Sequence, residues 1–327
     1  IMFGKEFLKE IEENAKKLQK RVIYPDSYDV RSIKAAKYLV EHNIAQSILI
    51  GDKNQIAQVA SDNNVDLSGI EIIEIGNNPL LDEFTQILYE RRKEKGWTPE
   101  QSLAAVKTPL YFAGMLLDTG RTDVVVGGNV SLTGDVMRAA IHTVGVAEGI
   151  SLVSSYFLMV FTDRIYAYAD CAVNPNPTAE QLADIAISTA RNFQSVTGIE
   201  SKVGMLSFST NGSADHPDVD KVKLATKLVK EKAPDIPCDG EMQFDAAIIP
   251  DIGQRKFPGS KIAGYVNTMI FPDLDAGNIG YKITQRLGGA EAVGPIIQGL
   301  KKPYCDLSRG ASVQDMISVA EINILMA

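Results

Sequence analysis

The segment CDLSRGASVQD, Cys305–Asp315, gathers Asp306, Ser308, Arg309, Gly310, Ser312 and Asp315 into eleven residues ahead of an apolar run. A hydroxyl, a guanidinium and a glycine in succession suit an oxyanion or a phosphate. The guanidinium fork pairs two oxygens, the hydroxyl donates to a third, and glycine lets the backbone come close. Ser312 and Asp315 stand three apart, close to the spacing of a capping box. Val313, Met316, Ile317, Ala320, Ile324 and Leu325 then fall at the three-and-four spacing of an amphipathic helix. A cap accounts for Ser312 and Asp315 but leaves Ser308 and Arg309 without a structural reason.

A second candidate anion site lies in DVVVGGNVSLTGDVMRAA, where an apolar strand feeds Gly127-Gly128, then Asn129, Ser131 and Thr133, then a helix bearing Arg138. Helix N-termini favour anions, although a glycine after a strand also serves as a plain turn, and the string matches neither the P-loop nor the dinucleotide fingerprint. In YERRKEKGWT, Arg91 and Arg92 complement a helix C-terminus closed by Gly96, and nothing local says which of them faces a ligand. Asp239, Glu241 and Asp245 in CDGEMQFDAA invite a divalent cation, but no flanking ligand set completes a site, so no metal is expected. Ser207, Ser209, Thr210 and Ser213 form a hydroxyl-rich turn, a weaker binding candidate.

These segments need a scaffold, and the chain supplies one. Its 327 residues fit two domains, and 45 % hydrophobic with 23 % charged residues describes a globular protein. A net charge of −8 without a basic stripe argues against nucleic acid. No apolar run is long enough for a membrane span and no signal-like segment opens the given sequence, so a cytoplasmic location is expected. Cys171, Cys238 and Cys305 form no CxxC pair, and His42, His142 and His216 lack metal or triad spacing.

Residues 1–148 alternate helical and strand patterns as in parallel βαβ units; past Gly149 a hairpin around Thr162-Asp163 opens a second α/β region. The reading is α/β with two domains and a cleft between them. It assigns 1–148 plus 294–327 to the first, discontinuous domain and 149–293 to the second, with PIIQGL as the strand that returns. The helix start at GNIGYKITQR is expected to border the cleft with Tyr281, Lys282 and Arg286, beside the segments after VVVGG and in DLSRG.

The strings DCAVNPNPTAEQLADIA, VGMLSFSTNGSA, DGEMQFDAA, IFPDLDAGNIGYKITQRLGGAEAVGPIIQGL and DLSRGASVQD together resemble the phosphate acetyltransferase (phosphotransacetylase) family. The resemblance implies a fold like that of isocitrate and isopropylmalate dehydrogenases and reversible acetyl transfer between acetyl phosphate and coenzyme A, giving acetyl-CoA and inorganic phosphate. It implies no metal or redox cofactor, and a homodimer is expected. Ser308 and Arg309 become substrate and transition-state contacts, Asp315 the base that deprotonates the coenzyme A thiol, and Arg138 and Arg92 further coenzyme A contacts. Ser131, Thr133, Tyr281, Lys282 and Arg286 complete the expected binding set.

An ordinary thiol, with a pKa of about 8.5, is only a few per cent thiolate at neutral pH, and an ordinary aspartate near ~3.9 is mismatched to it by roughly 6 kcal/mol. The site must therefore raise the acid's pKa or lower the thiol's. No histidine or lysine within CDLSRGASVQD could activate Ser308, which favours direct thiolate attack in a ternary complex over an acyl-serine route. Phosphate propionyl- or butyryltransfer is the alternative within the chemistry. A non-catalytic acyl-CoA-sensing module is the alternative outside it, and a metal-dependent hydroxyacid dehydrogenase ranks third.

Overall fold

A computed structural model describes residues 4–327 and gives an α/β protein of two compact units. The chain runs α1 (Lys5–Leu18), β1 (Arg21–Tyr24), α2 (Val30–Glu41), β2 (Gln46–Ile50), α3 (Lys53–Asp62), β3 (Glu71–Ile73), α4 (Leu81–Arg92), a 3-10 turn (Lys93–Lys95), α5 (Pro99–Val106), α6 (Pro109–Asp118), β4 (Val124–Gly127) and α7 (Thr133–Thr143). It continues through β5 (Ser154–Val160), β6 (Ile165–Ala169), α8 (Ala179–Thr197), β7 (Val203–Leu206), α9 (Pro217–Lys232), β8 (Cys238–Met242), α10 (Phe244–Ile248), α11 (Pro250–Lys256), β9 (Thr268–Ile270) and α12 (Leu274–Arg286). The last elements are β10 (Glu291–Gln298), β11 (Tyr304–Asp306) and α13 (Val313–Met326).

One unit comprises Lys9–Ala147 and Leu300–Ala327. Its five strands, in the order β11-β4-β1-β2-β3, are all parallel. Strands buried on both faces read as unbroken apolar runs rather than alternating ones, as VVVG of β4 does. One face packs Ile23, Ile48 and Val125 against Phe84, Phe112 and Met115 of the flanking helices. On the opposite side α13 packs against α2 and β4.

The other unit comprises Glu148–Gly299 with the chain up to Leu8. Its sheet has the order β10-β5-β6-β9-β7-β8, antiparallel at β10-β5-β6 and parallel beyond. The hairpin expected around Thr162-Asp163 is the β5-β6 pair. Phe157, Met159, Tyr168, Met269 and Phe271 centre its core.

Two boundaries differ from the sequence expectation. The segment PIIQGL belongs mostly to β10, which pairs Ile296 with Tyr156 and Gln298 with Ser154. The chain therefore re-enters the five-stranded unit at Leu300, not at residue 294, because a free edge of β5 captures the strand before it can return. The helix holding GNIGYKITQR starts at Leu274, capped by Asp273, whose carboxylate accepts from the Ala276 N–H at 2.9 Å. Tyr281, Lys282 and Arg286 thus lie along α12 rather than at its amino end.

Candidate active site

In the five-stranded sheet β4 lies between β11 and β1, and all three run parallel, so the loops that leave them emerge side by side at the carboxyl edge. The chain fills one side of β1 with β2 and β3, then crosses to place β4 and β11 on the other. Such a switch of direction opens a natural binding crevice. Each loop then enters a helix: Pro25–Asp29 into α2, Gly128–Leu132 into α7, Leu307–Ser312 into α13.

Side chains from the first loop tie all three together. The Asp26 carboxylate accepts from the Gly128 N–H at 2.9 Å and from the Ser131 hydroxyl at 2.6 Å, fixing the turn after β4. Arg31, in the first turn of α2, pairs with Asp29 at 2.6 Å. It also donates to the carbonyls of Asn129 at 2.9 Å, Arg309 at 2.9 Å and Ala311 at 2.7 Å. Burial pushes the Asp29 carboxyl up, but the hydrogen bonds from Arg31 and Asn129 outweigh it and leave the group below its ordinary value. One guanidinium therefore holds the backbone of two neighbouring loops.

Gly128 has φ of +101°, and a Cβ there would sit 2.6 Å from the Leu307 nitrogen and against Asp306 Oδ1. Glycine is what lets the loops after β4 and β11 touch, seen again in the 2.7 Å bond from the Leu307 N–H to the Gly127 carbonyl. Asp306 is buried and its Oδ1 has no hydrogen-bond partner among the described residues. Burial pushes its carboxyl up to about 6; the Thr133 hydroxyl pulls the other way, and nearby Asp26 adds to the rise.

Ser308 and Arg309 are exposed at the top of the last loop. Ser308 Oγ accepts from the Gly310 N–H at 3.2 Å, so its proton is free to be donated elsewhere. The capping box at the start of α13 is present: Asp315 Oδ2 accepts from the Ser312 N–H and hydroxyl, each at 2.8 Å, while Ser312 Oγ accepts from the Asp315 N–H at 3.1 Å. Asp315 is nonetheless exposed. A cap and a solvent-facing carboxylate coexist in one residue.

The structure separates the two neighbouring arginines. Arg91 is committed to Asp118 at 2.6 Å and to the Thr143 carbonyl, whereas Arg92 lies over the Trp97 ring, 5.5 Å from its centroid. Arg138 is exposed on α7 and pairs with Asp135 at 2.8 Å. Arg92 and Arg138 each act electrostatically on Tyr111 and on His142. His142 is pushed down to about 4 by burial first and by these two cations after it.

In the other unit, Tyr281 stacks on Phe157 with centroids 4.1 Å apart, and Lys282 donates to Asn278 Oδ1 at 2.8 Å. Arg286 ends α12, exposed. The carboxylates of CDGEMQFDAA go to separate partners: Asp239 to Lys230 at 2.7 Å, Glu241 to the Ser209 hydroxyl at 2.9 Å, Asp245 to Lys256 at 2.9 Å. The turn at Ser207–Ser213 is largely self-satisfied, with Ser213 Oγ accepting from the Thr210 N–H at 3.0 Å.

Sequence reasoning missed Asp26, Asp29 and Arg31, although YPDSYDVRS leaves β1 as NVSLTGD leaves β4, a strand running into a polar loop before a helix.

Comparison with known proteins gives these features a context. A family model described as phosphate acetyl/butaryl transferase matches residues 6–324. The chain is 45 % identical over 327 residues to a phosphate acetyltransferase of Acetivibrio thermocellus and 43 % identical over 328 residues to one of Clostridium acetobutylicum, covering 98 % of both partners in each pair. Among solved structures, a phosphotransacetylase from Streptococcus pyogenes superposes with a TM-score of 0.95 at 37 % identity, covering 99 % of each chain. The EutD phosphotransacetylase from Staphylococcus aureus gives 0.93 at 39 % identity, covering 98 % of each. A branched-chain phosphotransacylase from Enterococcus faecalis V583 shares the fold at 0.67 and 16 % identity, covering 94 % of this chain and 98 % of that one. From Glu6 onward, then, sequence and fold agree, and the chain belongs to the phosphate acetyl/butaryl transferase family.

Proposed function

We propose that this chain is a phosphate acetyltransferase, transferring an acetyl group reversibly between acetyl phosphate and coenzyme A. The observation that carries the reading is that, in a chain of this family, the loop bearing Ser308 and Arg309 and the cap residue Asp315 lie at the carboxyl edge of a parallel sheet, beside the amino end of α7.

In this reading the phosphoryl group of acetyl phosphate takes the Arg309 fork and the Ser308 hydroxyl, with Thr133 and the amino end of α7 adding donors and positive potential. Ser131, whose hydroxyl serves Asp26, contributes by shaping the turn. The coenzyme A thiol loses its proton to Asp315, the thiolate attacks the acetyl carbonyl, the carbon–oxygen bond to phosphate breaks, and the electron pair leaves on phosphate. Guanidinium groups near the sulfur lower the thiol's pKa and so narrow the gap that an aspartate base must cover. Arg309 and Ser308 stabilise charge that grows on the carbonyl and the leaving phosphate, where preorganised donors count most.

Arg92, Arg138, Tyr281, Lys282 and Arg286 belong to the same reading as contacts for coenzyme A. So do a cytoplasmic location, chemistry without a metal or redox cofactor, and a homodimer. For the dimer, support comes from exposed apolar residues, among which Phe208, Phe244 and Ile283 line one hollow. Among the described residues no helix is long and apolar enough to cross a membrane.

The test is thioester formation, followed by ultraviolet absorbance, by the purified chain given acetyl phosphate and coenzyme A in a chelating buffer. Turnover is expected for the chain as it stands, with Arg309→Ala losing at least a hundredfold and Arg309→Lys recovering little, since a point charge does not reproduce the fork. No thioester, or turnover undiminished in a folded Arg309→Ala variant, would overturn the reading. Rates with propionyl and butyryl phosphate decide the acyl group, where each methylene is worth about 1–3 kcal/mol.

A further inference from the structure

We propose that Asp306 is a charge-compensating residue for the phosphoryl group, taking up a proton when an anion settles at the amino end of α7 and returning it to solvent when the anion leaves. The proposal rests on the reading above, in which Ser308, Arg309 and Thr133 hold phosphate, and adds Asp306 to it.

Two carboxyl groups lie under one turn. Asp26, from the loop after β1, accepts from the N–H groups of Gly128 at 2.9 Å, Val130 at 3.3 Å and Ser131 at 3.4 Å, and from the Ser131 hydroxyl at 2.6 Å. Both of its oxygens are thus supplied with donors. Asp306, at the end of β11, is 8 % exposed, and its Oδ1 is buried with no hydrogen-bond partner among the described residues. That oxygen is aimed at the same turn, since a Cβ on Gly128 would run into it. Leaving a carboxylate oxygen buried and unserved costs more than leaving the carbonyl oxygen of a neutral acid so. Asp306 is therefore the acid of the two whose charge is not fixed by its partners.

The surroundings bring it no cation. β11 is paired with β4 and packed by α7 and α13. The side chains of β4, VVVG, do not titrate. Asp26 and the Thr133 hydroxyl of α7 act on Asp306, and on its own strand Tyr304 and Cys305 are pushed up by burial first and also by the Asp306 charge. On α13, Asp315 turns to Ser312, and Glu321 acts on Tyr24 and Tyr38. Arg31, the cation that supports these loops, is engaged by Asp29 and three backbone carbonyls. The Asp306 carboxyl, pushed up to about 6 by burial before any other cause, stands close to neutral pH and is easily moved across it.

The amino end of α7 and the Arg309 guanidinium draw an anion to this turn. Its arrival places further negative charge beside the two carboxyl groups, which raises the affinity of Asp306 for a proton. With the proton on, the turn opposes the anion with one negative charge fewer. By linkage, an anion of fixed charge must bind more weakly as pH rises through the value of the free acid, about 6, until the proton is lost from the occupied site as well.

The experiment is calorimetric titration with sulfate, a dianion that does not itself titrate near neutral pH, in buffers of different ionisation enthalpy, so that the buffer dependence of the heat counts protons. At neutral pH the parent is expected to take up roughly 0.4–0.8 proton per sulfate, for a rise of about one to two in the pKa of Asp306. Its sulfate affinity should fall roughly ten- to a hundredfold between about pH 5 and 9. Asp306→Asn, neutral and of the same shape, should bind sulfate without proton uptake, with an affinity that no longer follows pH and that exceeds the parent's at the alkaline end. No uptake by the parent, or equal uptake by a folded Asp306→Asn variant, overturns the proposal, and the parent measurement decides even where the variant fails to fold. Arg309→Ala locates the sulfate: it should lose binding and proton uptake together. If Arg309→Ala binds sulfate as the parent does, the fault lies in the phosphate seat of the underlying reading, and the proposal falls with it.

Discussion

Arg31 gives part of its guanidinium to the backbone of Arg309, with Nη1 donating to the Arg309 carbonyl at 2.9 Å. One cation thereby builds the perch of another, although they stand at opposite ends of the sequence. The same group reaches Ala311 at 2.7 Å and Asn129 at 2.9 Å, so the loops after β4 and β11 share a single support from the loop after β1.

Arg31→Ala should therefore damage turnover without touching any reacting atom. Each hydrogen bond to a charged donor is worth about 1.5–3 kcal/mol, and the carbonyls left behind must find water. The expected result is a fall in kcat of tenfold or more with a modest loss of thermal stability, and little rescue by Arg31→Lys because one ammonium cannot span three carbonyls and Asp29. Steady-state kinetics beside a melting curve checks it.

Gly128→Ala should be severe for a different reason. Its φ of +101° disfavours any Cβ, and the new methyl would stand 2.6 Å from the Leu307 nitrogen and 2.8 Å from its carbonyl. Together these should cost on the order of 2–4 kcal/mol and displace the loop that carries Ser308. Urea unfolding gives the stability term, and activity in the surviving folded fraction gives the displacement.

Glu321, on the buried side of α13, predicts how stability follows pH. Its Oε1 has no hydrogen-bond partner among the described residues, and burial, with Glu12 nearby, pushes its carboxyl up to about 8. Tyr24 of β1 and Tyr38 of α2 also feel its charge. The unfolded chain releases this proton near 4.5, its ordinary value, while the folded chain keeps it until about 8. Between those values the folded state binds more protons, so stability falls as pH rises from about 4.5 to about 8 and then levels off. Glu321→Gln should flatten that slope, a difference on the order of a few kcal/mol in unfolding free energy, from denaturant titrations, between the two ends. An identical slope in the variant would contradict the burial of this acid.

How far the sequence alone reached depends on how local each feature is. The capping box at Ser312 and Asp315 needs only a spacing of three, and the β5-β6 hairpin needs two apolar runs around a turn, so both are readable as text. The pairing of β10 with β5 is a competition for a free sheet edge, which local pattern does not record. Arg91 and Arg92 are adjacent in sequence and alike in type; only the placement of Asp118, Thr143 and Trp97 tells them apart. Arg31 escaped notice because its partners lie roughly 100 and 280 residues away.

Asp315 carries the central claim, because the structure gives it a structural task that a catalytic assignment must be distinguished from. Its Oδ2 caps α13 through Ser312, and an asparagine can accept the same two hydrogen bonds through its amide oxygen. If capping were its whole role, Asp315→Asn would melt and turn over nearly as the parent does. If it is the base, the amide holds position but takes no proton, and general-base loss of about 10²–10⁴ in rate is expected. The decisive measurement is kcat for acetyl transfer by Asp315→Asn, read beside its melting temperature. The account predicts at least a hundredfold loss of kcat with the melting temperature within a few degrees of the parent. A kcat within about threefold, or a loss that tracks unfolding, would contradict it.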